Sequence, residues 1–117
     1  MNNKMMQDCC TCCSMCRTMC LQTMQMCLQK GGKFADATMN MMLAECAQLC
    51  QMTSDMAATG SDRVAPIADA CAKHCDDCAH ACDAMNDSAM HECAAALRKC
   101  AAACRMMKSA KKSAVTA

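Results

Sequence analysis

Sixteen of the 117 residues are cysteine and another sixteen are methionine. Many cysteines stand four residues apart: Cys9/Cys13, Cys12/Cys16, Cys16/Cys20, Cys46/Cys50, Cys71/Cys75, Cys78/Cys82 and Cys100/Cys104. On a helix, residues i and i+4 lie about 5–6 Å apart on one face. Two thiolates so placed can grip one ion between them. Soft thiolate and thioether ligands select Cu(I), a closed-shell ion content with linear coordination. Zn²⁺ instead takes four ligands in a tetrahedron, usually from loops at short spacings. One helical pair supplies half of that set, so zinc is disfavoured unless other helices supply the rest.

Other sulfur chemistries fit less well. Cys10-x2-Cys13-x2-Cys16-x3-Cys20 has the spacing of a bacterial ferredoxin cluster. Leu21 stands where that motif has proline, however, and no second copy follows. Cys46-x3-Cys50 with Cys71-x3-Cys75 has the form of a disulfide-stapled helical hairpin, which needs an oxidising compartment. A Cys–His nucleophile would draw on His74, His80 or His91. His80 and His91 fall on outward faces. His74, inside Cys-Ala-Lys-His-Cys, falls at a core margin and is a candidate ligand. No glycine-rich phosphate loop or acid–base pair accompanies them, and the chain does not read as an enzyme.

The remaining composition says what must position these groups. Five Leu, two Val, one Ile and one Phe are the only large hydrophobes apart from methionine. The 55% hydrophobic count is otherwise Ala, Cys and Met, so a core must be built from sulfur. A net charge of +1 and a single aromatic residue argue against nucleic-acid binding. No window approaches the roughly 18 uncharged apolar residues that a membrane span needs. The opening MNNKMMQDCC has no apolar signal region, so a cytoplasmic protein is expected. Thiols stay reduced there, which favours metal over disulfides.

Breaking signals are few: Gly31-Gly32, Gly60-Ser61-Asp62 with Pro66 following, and Asn86-Asp87-Ser88. They divide the chain into segments near 4–30, 35–59, 64–85 and 88–108, all rich in helix formers and poor in β-branched residues. The fold class is all-α, an antiparallel up-down-up-down four-helix bundle over residues 1–108. Residues 109–117 are expected to form a basic, disordered tail.

Helical periodicity then sorts the cysteines. Cys9, Cys12, Cys13, Cys16, Cys20 and Cys27 share a stripe about 100° wide, with Cys10 at its margin. Cys71, Cys75, Cys78 and Cys82 form a second stripe. Met90, Cys93, Leu97, Cys100, Cys104 and Met107 form a third. Met39, Met42, Leu43, Cys46 and Cys50 lie on one side of the second helix. These are the inward positions of a bundle, with Cys where Leu would stand. Met39, Met42, Met85 and Met90 gather at the end containing the first and third turns. Thioethers there suit handing an ion inward to stronger thiolates. Met15, Met19 and Met26 form a ridge off the stripe, a pattern that marks contact with another chain.

The run Cys71-x3-Cys75-x2-Cys78-x3-Cys82, then Cys93-x6-Cys100-x3-Cys104, resembles the bacterial copper storage proteins. Cys27-Leu28-Gln29, the Gly-Gly turn and Glu45-Cys46-Ala47 also fit, and the resemblance covers roughly residues 7–107. It implies a bundle whose core fills with multiple Cu(I) ions held mainly by pairs of thiolates. It implies homotetramers as well. Exported and cytosolic members both exist, and this start resembles the cytosolic kind. The Met-rich end resembles the Cu(I) mouth of the exported members. The doublets Cys9-Cys10 and Cys12-Cys13 depart from the family pattern. Both members of a doublet cannot face inward, which leaves Cys10 the weakest ligand of the sixteen.

Overall fold

The computed structural model describes residues 3–116, with side chains described for residues 4–107. Four helices follow one another: α1 (Asn3–Lys30), α2 (Ala37–Ala58), α3 (Val64–Asp83) and α4 (Ser88–Thr116). One short 3₁₀ turn, Gly32–Ala35, joins α1 to α2 and is called the strap below. No strand occurs among the described residues.

The turns form where the sequence places its breakers. Gly31 has φ 69° and donates its N–H to the Cys27 carbonyl at 3.1 Å, closing α1 in the left-handed conformation glycine tolerates. Gly60, with φ 68°, closes α2: Ser61 N–H reaches the Met56 carbonyl and Gly60 N–H the Ala57 carbonyl. This pair of bonds is a Schellman motif. Two caps are aspartates. Asp36 accepts from Met39 N–H at 2.9 Å to start α2, and Asp87 accepts from Met90 N–H at 3.2 Å to start α4. Pro66 sits in the first turn of α3, where its missing N–H costs nothing.

The fourth helix passes its expected end near residue 108 and runs to Thr116. No Gly or Pro follows Met107 to stop it. The side chains of the expected tail, 109–117, lie outside the described residues.

Each helix packs on two neighbours: α1 on α2 and α4, α3 on α2 and α4. Short connections make successive helices antiparallel, and the result is a four-helix bundle with extents of 53 × 20 × 19 Å. The α1–α2 and α3–α4 hairpins are the more extensive pairings, and the α2–α3 seam is the slightest.

The core is sulfur. Fourteen cysteines are buried, along with Met6, Met39, Met90 and Met107. Of the large hydrophobes among the described residues only Leu43, Leu97 and Val64 join them, while Leu28 is 56% exposed. Alanines at 68, 72, 79, 94 and 101 fill between the thiols and let the helices approach. On the Met15 ridge, Met15 stands exposed, but Met19 and Met26 pack partly against the core.

Candidate metal centre

The helical stripes bring their thiols to one axis. Cys9 Sγ lies 4.0 Å from Cys13 Sγ. Cys13 Sγ lies 3.6 Å from both Cys104 and Cys100 on α4. Cys100 meets Cys50 of α2 at 3.7 Å, Cys50 meets Cys71 of α3 at 3.8 Å, and Cys71 meets Cys75 at 3.9 Å. Cys20, Cys46, Cys78, Cys82 and Cys93 carry the column toward the first and third turns, each perturbing the protonation of the next. All sixteen cysteines are free thiols.

Two groups are compact enough to surround an ion. Cys13, Cys71, Cys100 and Cys104 place their sulfurs within 4.8 Å of one another, and so do Cys16, Cys50, Cys75 and Cys100. The second group draws one thiol from each helix. Cys100 belongs to both. The i, i+4 pairs thus do not act alone, because register between helices closes them into larger sets.

Neighbouring thiols set one another's acidity. The Cys100 thiol leads in pushing Cys16 down to about 6, and the Cys46 thiol leads in pushing Cys78 down to about 4. The partners move the other way: Cys46 goes up, first through Cys20, and Cys50 goes up, first through Cys100. The cause is one proton shared between two sulfurs, which favours the thiolate on one and the thiol on the other. A soft cation can occupy the place of that proton. Cys27 lacks such a partner, and burial pushes its thiol up, followed by the charge of Asp87.

Two cysteines stand apart. Cys12, expected well inside the bundle, is half-buried, because its position at the edge of the α1 stripe turns it toward the rim. Cys10 is also half-buried and faces α2, where its Sγ lies 3.4 Å from Ser54 Oγ. Neither belongs to a four-sulfur group. His74 sits on the α2–α3 seam. Its Nε2 lies 3.2 Å from Glu45 Oε1, off the line a hydrogen bond needs, and no ring atom joins either sulfur group.

The methionine end has a distinct geometry. Met39 and Met90 are buried, Met42 and Met85 half-buried. Cys27 Sγ donates to Met90 Sδ at 3.6 Å, so the last thiol of α1 touches a thioether. A cavity of about 530 Å³ beside the strap is lined by Met39, Met42 and Met85.

Several polar residues at the site escape a search for sulfur alone. Thr23 and Thr53 are buried on the inward faces of α1 and α2; the Cys93 thiol is held down first by Cys20, then by Cys82, with Thr23 adding a smaller effect. Ser54 bonds Ser14 Oγ at 2.8 Å and the Cys10 carbonyl at 3.2 Å, linking α1 to α2. The same 3.6-residue period that locates the cysteines also places Thr23 and Thr53 on the stripe.

No helix among the described residues is long and apolar enough to cross a membrane. No curated protein matches the chain. A solved structure of a protein from Nitrosospira multiformis is similar over 92% of this chain and 98% of its own, at 31% identity and a TM-score of 0.86. The family described as copper storage protein matches residues 2–109, which spans the whole cysteine column. The chain belongs to the copper storage protein family.

Proposed function

We propose that the protein stores or buffers multiple Cu(I) ions inside the bundle through its cysteine thiolates, and is not an enzyme. The observation that carries this reading is Cys100, shared between two four-thiol groups in a continuous column. A shared thiolate can bridge ions, and bridging changes the capacity. Private pairs of thiolates would hold about eight ions, whereas full bridging approaches one ion per inward thiolate, about 14 or 15. The larger number is the reading. Cys9, Cys13, Cys16, Cys20, Cys27, Cys46, Cys50, Cys71, Cys75, Cys78, Cys82, Cys93, Cys100 and Cys104 would hold most of them, with Cys12 and Cys10 as rim ligands. His74 is a weaker candidate than the cysteines, because the sulfur groups close without it.

Met39, Met42, Met85 and Met90 would pass ions inward from their end of the bundle. An uncharged thioether holds Cu(I) without burying an unpaired charge. A cytoplasmic protein assembled as a homotetramer fits the family resemblance. Neither membrane nor nucleic acid is a partner in this reading.

A second reading has its own observation. Each group of four sulfurs lies within 4.8 Å, and Cys13–Cys104 and Cys13–Cys100 at 3.6 Å and Cys50–Cys100 at 3.7 Å come near the edge of a tetrahedron about a zinc ion, about 3.8 Å for a metal–sulfur bond of roughly 2.3 Å. A general thiolate buffer for zinc or other soft ions would use the same groups. A disulfide-stapled domain has less support, since the thiols are free.

The experiment is Cu(I) titration against a competing chelator, with elemental analysis of protein from copper-supplemented cells. Saturation near one ion per cysteine, with copper in excess of zinc, supports storage. Saturation at three or four ions would point to isolated sites, and zinc in excess would favour the buffer.

A further inference from the structure

The strap lies over the methionine end, held there by its own contacts and by those of the α1 end beside it. Lys30 Nζ pairs with Asp87 Oδ1 at 3.1 Å, tying the end of α1 to the turn before α4. Lys33 Nζ donates to the Met85 carbonyl at 3.1 Å, crossing from the strap to the end of α3. Asn40 Nδ2 donates to the carbonyls of Phe34 and Asp36 at 2.9 and 2.8 Å. Phe34, the single aromatic residue, sits half-buried against the core. Both lysines lie over its ring, at 4.6 and 5.3 Å from the centroid.

These contacts fix one side of the route that the thioethers line. The strap residues Gly32, Lys33 and Ala35 form one wall of the 530 Å³ cavity, and Met39, Met42 and Met85 form the inner wall. Met90 and Cys27, in contact with each other, are wholly buried and do not line this cavity. An ion in the cavity therefore meets the first thioethers but not the first thiol.

The strap is also built to move. It contains no buried residue. Gly31 precedes it and Gly32 begins it, at φ 69° and 57°, a pair of joints with open space around them. The start of α2 is fixed separately, by the Asp36 cap on Met39. In the closed position Asn40 Oδ1 is buried with no hydrogen-bond partner. Lifting the strap would return that acceptor to water, which offsets part of the cost of opening.

We propose that the strap Gly32–Ala35 is a gate on the methionine mouth, latched to the α3–α4 turn directly by Lys33–Met85 and indirectly through Lys30, which pairs with Asp87 and lies over the Phe34 ring. The gate rests on the storage reading and adds to it a control on rate, not on capacity. It lets the bundle hold its ions against brief contact with external chelators, because exchange waits for the latch.

The test compares loading rates of the full-length apo chain by stopped flow, with Cu(I) supplied as its bicinchoninate complex. Asp87→Asn removes the ionic latch but keeps a side-chain oxygen for the Met90 cap. Phe34→Ala removes the ring beneath both lysines. Asp76→Asn breaks the ion pair with Arg105, which also joins α3 to α4 but lies away from the mouth. Loading should quicken by about two- to fivefold in Asp87→Asn, the range that an exposed ion pair can control. Phe34→Ala should quicken it at least as much, and Asp76→Asn should match the parent. Raising salt should quicken the parent and leave Asp87→Asn unchanged. Equal rates in all four proteins at full Cu(I) capacity would overturn the gate alone. Equal acceleration in Asp76→Asn would overturn it too, as general loosening. Failure of every protein to take up Cu(I) would overturn both the gate and the storage reading.

Discussion

Cys13 and Cys104 lie 91 positions apart in the chain, yet their sulfurs stand 3.6 Å apart on facing helices. Cys100, one turn earlier on α4, approaches the same Cys13 sulfur equally closely. One α1 thiol thus faces two α4 thiols, and Cys100 goes on to complete the group with Cys16, Cys50 and Cys75.

Removing the shared thiol should therefore cost more than one ion. Cys100→Ser keeps the side chain's size while withdrawing a soft ligand from both groups. Cu(I) capacity should fall by about two ions, because a bridging sulfur serves two centres. Cys10→Ser, changed at the rim, should lose none or one. Chelator-competition titrations of the two variants beside the parent give the numbers. An equal loss in both would mean that Cys100 is not a bridge.

Loading should release protons in a ratio that reports the ligation. Thiols must deprotonate to bind. If each thiolate serves two ions, about one proton leaves per Cu(I); if each ion keeps two private thiolates, the ratio approaches about two. The count can be read in weakly buffered solution with an indicator dye. A ratio near two would reverse the bridging argument.

Apo protein should be folded but less stable than loaded protein. Its core has few large hydrophobes, and an ion that binds only the folded state adds stability by mass action. Free Cu(I) at about 100 times its dissociation constant contributes about 2.7 kcal/mol per site. In a chain this small that raises the melting midpoint by roughly 10 °C. Circular dichroism melts with and without Cu(I) check it, and an unchanged midpoint would contradict it.

Alkaline pH should weaken the apo bundle. Burial raises the Cys27 thiol above its ordinary value of 9.0, with the Asp87 charge adding to the effect. Among the paired thiols, hydrogen bonds pass protons between members, whereas burial pushes each one up. A folded pKa above the unfolded one means that unfolding releases protons at high pH. The stability is therefore full below about pH 9 and declines as pH rises from there toward the folded value. Melts of reduced apo protein at pH 7.5 and pH 10 should show the lower midpoint at pH 10. A flat or rising midpoint would sink the argument.

Replacing Met39, Met42, Met85 and Met90 together by leucine should slow Cu(I) loading several-fold while leaving capacity near that of the parent. Leucine nearly conserves volume and apolarity, at a cost usually under about 1.5 kcal/mol per site, so the bundle should survive. Stopped-flow traces decide. Equal rates would make these methionines core filler and move the mouth toward Met5, Met6, Met106 and Met107.

What the amino-acid sequence determined by itself was the number of helices, their turns and the inward face of each. These are local properties. Gly31, Gly60 and the Asp87 segment end or start helices through backbone conformation and capping. A stripe such as Cys71, Cys75, Cys78 and Cys82 follows from 3.6 residues per turn wherever the helix packs. The family pattern was legible for the same reason, because it is a pattern of spacings. Tertiary structure alone decided which thiols meet. The grouping of Cys16, Cys50, Cys75 and Cys100 depends on the axial register of four helices, which no single helix encodes. It decided the edges too. Cys12 lies at the margin of its stripe, where burial depends on how the neighbouring helix is set, and it came out half-buried. The Gly31-Gly32 turn is legible in the sequence, but where its strap lies is not, since a four-residue turn has no periodicity to read. Only the closed bundle brings Lys30 and Lys33 across to Asp87 and Met85.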